Sequence, residues 1–204
     1  MALAKYLAKR DFKMTPEPQG SSKPGAHRQK LSFVIQKHQA SHLHYDFRLE
    51  WNGVLLSWAV PKGPSPDPAI KRLAMQVEDH PLEYAGFEGV IPEGQYGGGT
   101  VMVWDRGTWT PEVEDVDAAL KNGELKFNLH GKKLKGSWVL VRTRGGEIGR
   151  ASWLLIKHRD EYASREDIVQ EKPRSALSKR LMAEIAEASA GDVAKAAKSD
   201  PANA

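Results

Sequence analysis

The sequence predicts a mainly β protein: a small antiparallel β-barrel with a polar active-site mouth, short helices and flexible tails. Three observations carry this. Between residues 31 and 158, about eight to ten short segments show strand patterning, either period-two alternation or short apolar runs. Gly, Pro and Asn-Gly turn signals separate them, and almost nothing there reads as helix. One segment, Leu43–Trp51 (LHYDFRLEW), alternates cleanly. Leu43, Tyr45, Phe47, Leu49 and Trp51 share one face, and His44, Asp46, Arg48 and Glu50 share the other. The second face is too polar for a dry core and must line a wet cavity or a barrel mouth.

In order, residues 1–30 form a polar arm rich in Pro, Gly and Ser. Ala2–Lys9 has the makings of one or two helical turns. Arg10, Asp11 and Glu17 are residues that could fold over a site and close it. Leu31–Lys37 is a strand, and a Gln-Ala-Ser turn leads to Leu43–Trp51. The Asn52-Gly53 hairpin signal returns the chain as Val54–Val60. Four prolines in Pro61–Pro68 exclude regular structure there, and Lys62 sits in this stiff loop. Arg72–Glu78 alternates as a strand. The glycine-rich stretch from Phe87 to Gly99 lacks the P-loop pattern and reads as a bulged connection. Thr100–Trp104 and Thr108-Trp109 read as a hairpin around Asp105-Arg106-Gly107. Val116–Asn122 is a short helix with Asp115 as N-cap and Gly123 beyond its C-terminus. Glu124–His130, Leu134–Arg142 and Trp153–Lys157 complete the strands, the last two joined by the turn RTRGGEIGR. The barrel therefore covers 31–160. The tail, 161–204, is rich in Ala, Lys, Glu and Ser, with one helix over Ala176–Ala188 and a last dozen residues that read as disordered.

With 204 residues the chain suffices for one domain with tails and a buried core. It has no cysteine, which excludes disulfides, zinc fingers and thiol catalysis. Its start has neither a long apolar core nor a cleavage site, and no apolar run approaches a membrane span, so a cytoplasmic address is expected. The net charge of +4 permits a polyanionic partner without demanding one.

His38 lies on the strand before His44, across a tight turn. His38-x5-His44-x-Asp46 thus offers three ligands from two adjacent strands, a plan suited to a divalent transition metal. Arg48, two residues along the same face, suits a phosphate. Lys62, Arg72, His80 and Tyr84 follow in the next strands and loops. The first reading is a metal-assisted phosphoester site with a protonated His80 and Arg48 facing the developing negative charge. Two others stand beside it. A non-haem Fe(II) oxygenase of barrel fold would recruit His130 or His158 as a further ligand, and a non-catalytic nucleic-acid-binding module would leave the His/Asp group unexplained. His42, at the turn, is expected to face solvent or to support His44, and His27 reads as an ordinary residue.

The segments FVIQKH, QASHLHYDFRLEWNGVLLSWAVPKGPS, KRLAMQVEDHPLEYAGFEGVIPEGQYGGGTVMVWDRGTW, LKFNLHGKKLKGSWVLVRT and WLLIKH, with Arg10-Asp11-Phe12 and Thr15–Pro18, closely resemble the 3′-phosphoesterase domain of bacterial DNA ligase D. The resemblance runs from about residue 5 to about residue 160. It implies a Mn2+ enzyme, with Zn2+ or Co2+ as alternatives, held by His38, His44 and Asp46. It implies action on DNA 3′ ends in non-homologous end joining: a terminal ribonucleoside is removed to leave a 3′-phosphate, and the phosphate then to leave a 3′-OH. Arg48, His80 and Tyr84 match residues that engage the phosphate, with Lys62 and Arg72 as further basic contacts. Arg10, Asp11 and Glu17 match an arm needed for activity, and Gln36 and Glu78 match residues near the site. Expected partners are primer–template ends carrying a 3′-ribonucleotide or 3′-phosphate, with ligase, polymerase and Ku proteins and no membrane; a monomer is expected. Whether the chain is a stand-alone enzyme or the amino-terminal domain of a larger ligase is open at this point.

Overall fold

A computed structural model describes residues 3–20, 30–143 and 152–202; most of the turn expected over 142–150, and His27, lie outside them. The strands are β1 (Leu31–Gln39), β2 (Leu43–Trp51), β3 (Val54–Val60), β4 (Lys71–Gln76), β5 (His80–Pro81), β6 (Gly89–Ile91), β7 (Gly99–Pro111), β8 (Glu124–Gly131), β9 (Lys135–Arg142) and β10 (Ser152–Lys157). The helices are α1 (Ala4–Ala8), α2 (Val116–Asn122), α3 (Ile168–Glu171), α4 (Met182–Ala188) and α5 (Val193–Ala197), with a 3-10 turn over Leu82–Gly86. The pairing order β1-β2-β3-β4-β10-β9-β8-β7 is antiparallel throughout, and β7 returns onto β1, closing the barrel. The two-residue turn behind β2 has the left-handed backbone its sequence demands, at Asn52 (φ 48) and Gly53 (φ 80). It fixes the register Trp51↔Val54, and with it Arg48↔Ser57.

The barrel lumen is filled by side chains, as an eight-stranded barrel allows. Phe33, Ile35, Tyr45, Phe47, Leu49, Trp58, Trp104, Trp109, Phe127, Trp138 and Trp153 form one contiguous buried cluster. The alternate positions of β1 and β2, which carry Gln36, Asp46 and Arg48, look the other way, onto the outer wall. There a second apolar cluster of Tyr6, Val34, Leu55, Tyr84, Phe87, Ile91, Val101 and Val103 packs the arm and the 3-10 turn over the sheet.

Two expectations are corrected. The segment 99–111 is a single strand, not a hairpin around Asp105-Arg106-Gly107. Asp105 is fully buried, and its carboxylate accepts the backbone N–H groups of Arg106, Lys133 and Leu134 at 2.8–3.0 Å. It sits beside a bulge, where Ile35 pairs with Asp105 but Gln36 pairs with Val103. A Cβ at Gly107 would overlap the His130 carbonyl, so this glycine serves close strand approach. The tail is also ordered through its described residues. Met182, Ile185, Ala186 and Ala196 belong to the main core, and the Trp104 indole donates to the Lys172 carbonyl at 2.9 Å. Lys37 donates its ammonium to the Ser199 carbonyl, and Asp200 caps α4 by accepting from Met182 and Ala183 N–H. The helix expected over 176–188 starts only at Met182, because Ala176 N–H bonds to Val103 of β7 and Lys179 adopts a left-handed conformation (φ 69). By contrast α2 keeps its expected bounds, with Asp115 accepting from Ala118 N–H and Gly123 at φ 85. Among the described residues no helix is long and apolar enough to cross a membrane.

Candidate active site

The antiparallel register sets His38 directly opposite His44, Gln36 opposite Asp46 and Val34 opposite Arg48. His38, His44 and Asp46 therefore meet on the outer wall, with one ligand atom from each lying within 4.8 Å of the others. Each imidazole is oriented by a backbone carbonyl. The His38 Nε2 lies 2.8 Å from the Gly97 carbonyl, and the His44 Nδ1 lies 3.0 Å from the His42 carbonyl. A carbonyl only accepts, so both of those nitrogens carry the proton. The remaining lone pairs, on His38 Nδ1 and His44 Nε2, face Asp46 Oδ2 at 3.6 and 3.7 Å. This is the arrangement by which a protein presents neutral imidazoles to a metal. Burial would raise the Asp46 carboxyl, but Arg48 and the two imidazoles hold it well below the usual carboxylate range. Burial likewise pulls His44 down, yet the Asp46 carboxylate outweighs it and leaves the imidazole raised. The pocket favours positive charge between these groups, and a proton or a divalent cation competes for that place. By donor chemistry and orientation the three residues fit a transition metal.

Arg48 is the hub beside this triad, with its side chain only 2% exposed. It donates to Gln36 Oε1 and Ser57 Oγ at 2.8 Å each and to Asp46 Oδ2 at 3.0 Å, and lies 5.0 Å over the Tyr84 ring. Gln36 is held in turn by donating to the Tyr84 and Phe87 carbonyls. The His80 Nδ1 lies 2.8 Å from the Glu78 carbonyl and 2.9 Å from Arg48 Nη1. The carbonyl only accepts and the guanidinium only donates, so this one nitrogen cannot serve both. Burial, with Arg48 and Arg10 beside it, holds His80 well below its ordinary value. The protonated His80 expected from the sequence is therefore neutral in this state.

The arm completes the site. Arg10 donates to Glu17 Oε1 at 2.8 Å and approaches His80 Nε2 at 3.4 Å. Glu17 also accepts from Thr15 Oγ1 at 2.9 Å and from the Tyr84 hydroxyl at 3.0 Å. The Tyr6 ring packs edge-on against His80 and Tyr84 and carries Arg10 at 3.9 Å. Glu78 lies between Lys9 (3.0 Å) and Arg10 (3.5 Å).

Ten of the residues singled out from the sequence thus form one connected group: Arg10, Glu17, Gln36, His38, His44, Asp46, Arg48, Glu78, His80 and Tyr84. Three do not join it. Asp11 is exposed and caps its own turn by accepting from Lys13 N–H. Lys62 is exposed in the loop after β3 and makes no hydrogen bond or ion pair among the described residues. Arg72 lies on β4, paired with Leu155 of β10, and its Nε is buried without a partner. His130 and His158 bond elsewhere, near Thr110 and to Ser137, and neither approaches the triad. Ser57, the Gly97 carbonyl, Thr15 and Tyr6 were not singled out from the sequence. Ser57 was within reach, because the Asn-Gly turn fixes it opposite Arg48, and Thr15 lies in the Thr15–Pro18 segment that carries the resemblance without being given a role; the Gly97 carbonyl and Tyr6 come from loop and arm geometry.

Residues 36–142 match the family described as the DNA Ligase D 3'-phosphoesterase domain. The chain belongs to this family. It is 54% identical over 185 residues to the multifunctional non-homologous end joining protein LigD of Pseudomonas aeruginosa, covering 88% of this chain and 22% of that protein. The multifunctional non-homologous end joining DNA repair protein LigD of Mycobacterium tuberculosis is 48% identical over 143 residues, 70% of this chain and 18% of its own length. The LigD protein of Mycolicibacterium smegmatis is 41% identical over 170 residues, 81% of this chain and 22% of its own. The chain spans about a fifth of the length of these relatives. The family match, residues 36–142, contains His38, His44, Asp46, Arg48, His80 and Tyr84 but not Arg10 or Glu17.

Proposed function

We propose that the chain is a divalent-metal-dependent phosphoesterase of DNA 3′ ends, with Mn2+ as the working ion and Zn2+ or Co2+ as alternatives. It removes a 3′-terminal ribonucleoside and then the 3′-phosphate, which prepares ends for joining by a ligase. The observation that carries this reading is the pair of imidazoles, each locked by a carbonyl so that its lone pair faces an ionised Asp46, set beside a buried Arg48. His38, His44 and Asp46 would hold the metal, which supplies Lewis-acid polarisation of a phosphoryl oxygen and a more acidic water.

In the first reaction a water oxygen bonds to phosphorus, the bond to the 5′-oxygen of the leaving ribonucleoside breaks, and that oxygen takes a proton. Negative charge spreads over the phosphoryl oxygens on the way. Arg48 has N–H groups beyond those given to Gln36, Ser57 and Asp46, and its planar fork suits two phosphoryl oxygens at once. Turning Arg48 toward the phosphate also relieves its close approach to His80. Phosphate charge beside His80 offsets the two arginines that keep it neutral, so the ring gains a proton as substrate arrives and can pass it to the leaving oxygen. Glu17, itself held by the Tyr84 hydroxyl, fixes Arg10 beside the His80 Nε2. Lys62 and Arg72 are proposed to meet the strand beyond the reacting phosphate.

The test is end processing of a labelled primer–template with a single 3′-ribonucleotide, using Mn2+, Mg2+, Zn2+, Fe2+ or EDTA. Trimming to a 3′-phosphate and then a 3′-OH with Mn2+, erased by His44→Ala, is the expected result. Binding of the duplex with no end chemistry under any metal would reduce the protein to a binding module.

A further inference from the structure

Away from the triad, the turn between β8 and β9 faces the segment that links α3 to α4 across a groove. Two adjoining hollows of about 260 and 400 Å³ make up this groove and share Lys132, Lys133 and Lys172 in their walls. Six cations line it, Lys132, Lys133, Lys135, Lys172, Arg174 and Lys179, against the carboxylates Glu166 and Glu171, and Arg174 is itself paired with Glu184 at 3.3 Å. Lys132 and Lys133 act as braces. Lys132 donates to the Ala176 carbonyl at 2.7 Å, and Lys133 to the Lys172 and Arg174 carbonyls at 2.7 and 2.6 Å while lying 4.4 Å over the Trp104 ring. Among the described residues the ammonium groups of Lys135, Lys172 and Lys179 have no hydrogen-bonding or acidic partner.

The charge crowding is visible in Lys133. Burial pushes its ammonium down to about 7; Asp105 opposes this, and Lys37, Lys179 and Lys172 add to the fall. A bound anion would relieve that repulsion. The groove and the triad are also linked through β1, which turns His38 to the outer wall and the adjacent Lys37 inward, where it meets the tail at Ser199 and feels Lys133.

We propose that this groove holds the phosphodiester backbone of the DNA duplex behind the 3′ end being processed. The inference rests on the proposed function for its polyanion, and duplex DNA supplies one negative charge per roughly 1.7 Å of its axis, a charge density that a cluster of cations neutralises. The contacts are to phosphates, so they position the duplex without reading its sequence.

The test uses the full chain and a fluorescein-labelled primer–template duplex, with binding read by fluorescence anisotropy across a salt series. The triple variant Lys135→Glu, Lys172→Glu, Lys179→Glu should weaken binding at least about tenfold at moderate salt. Its plot of log affinity against log salt should be shallower by about two to three, roughly one for each phosphate that is no longer neutralised. Turnover of a short single-stranded substrate too small to reach the groove should stay as in the parent. The milder pair Lys135→Gln, Lys179→Gln, which touches no hydrogen bond, should give a smaller shift in the same direction and guards against misfolding of the triple variant. Unchanged affinity and slope in both variants would overturn the proposal, as would equal competition by polyglutamate of matched charge. Absence of end-processing activity with the salt effect intact would count against the phosphoesterase reading alone.

Discussion

Glu17→Gln separates the arm from the barrel. The Glu17 side chain is fully enclosed, and its carboxylate accepts from Arg10, Thr15 and Tyr84 at 2.8, 2.9 and 3.0 Å. Glutamine keeps the volume and one oxygen, which can still receive Arg10 and Tyr84. It loses the charge that makes the Arg10 contact strong, and Arg10 is left buried with Glu78 at 3.5 Å as its nearest counter-ion. A hydrogen bond to a charged group contributes about 1.5–3 kcal/mol against about 1 for a neutral one. Stranding a buried charge costs about 3–5 kcal/mol, and Glu78 offsets part of that here. Arg10 and Glu17 both belong to the arm, so the loss falls on its ordered, docked form as a whole: about 2–4 kcal/mol, which at 1.4 kcal/mol per tenfold is roughly a 30- to 700-fold shift toward its open form. Amide hydrogen exchange reads this directly through the N–H groups of Leu7, Arg10, Met14 and Thr15, whose acceptors all lie within the arm. Their exchange should accelerate while β2 and β3 stay protected, and turnover of the 3′-ribonucleotide substrate should fall with it. An arm that exchanges as in the parent, or one that opens freely while turnover is unchanged, would refute the view that Glu17 docks a necessary roof.

Arg48→Lys keeps the charge but strands acceptors on Gln36 and Ser57, so stability should drop by about 2–4 kcal/mol in urea melts and end processing by orders of magnitude, with Mn2+ affinity by calorimetry near the parent's; parental turnover would remove Arg48 from the phosphate. His44→Ala should lose Mn2+ binding in the same calorimeter, and an undiminished isotherm would strike His44 from the ligands. The folded His80 titrates well below its ordinary 6.5, so below about 6.5 the unfolded chain binds the extra proton; stability is complete above that pH and declines as pH falls. Urea midpoints at pH 5.5 and 7.5 should differ in the parent and differ less in His80→Gln, and equal slopes would assign the loss to another group. Ending the chain at Leu181 removes Met182 and Ile185, which are 0% and 2% exposed, and should cost about 3–6 kcal/mol of burial; an unchanged melting temperature would mean that the tail packs without stabilising the barrel.

The readable parts of this molecule are those where one local pattern has one physical solution. Alternation over Leu43–Trp51 and an Asn-Gly turn fix β2, β3 and their register, and the short turn from β1 into β2 sets His38 opposite His44, beside Asp46. The strand β7 is illegible in the sequence because Asp-Arg-Gly satisfies the chemistry of a turn equally well. Its real purposes, three backbone N–H groups for Asp105 and clearance for Gly107, are set by residues far off in sequence. The tail is opaque for a related reason. Its buried positions, Met182, Ile185, Ala186 and Ala196, are sparse and partly alanine, so they carry little apolar signal until the barrel end they cover is known. Lys62 and Arg72 show the same limit from the other side: their charge suggests the site, but nothing local says where a side chain on a stiff loop or a bordering strand will point.

The placement of the ionisable face follows from the size of the barrel. Trp58, Trp104, Trp109, Trp138 and Trp153 are buried in the lumen, which leaves no passage for a nucleic acid. Chemistry on a polymer must then use the outer wall, where a flat sheet would leave Asp46 and Arg48 in water and their interactions weak. The arm and the 3-10 turn remove that water, and they do so with side chains that are themselves partners of the site: Tyr6 on His80, Arg10 toward His80, Tyr84 and Glu17 on each other. A roof built from site residues couples enclosure to assembly. When it is docked, the hydrogen-bonded group from Glu17 to Asp46 is continuous, and Arg10 and Glu17 enter it together, because each is buried against the other. Docking of the roof and completion of the site are then one event, held by the contacts that join arm to barrel: the Tyr84 hydroxyl on Glu17, Arg10 against Glu78 and His80, and Tyr6 on His80.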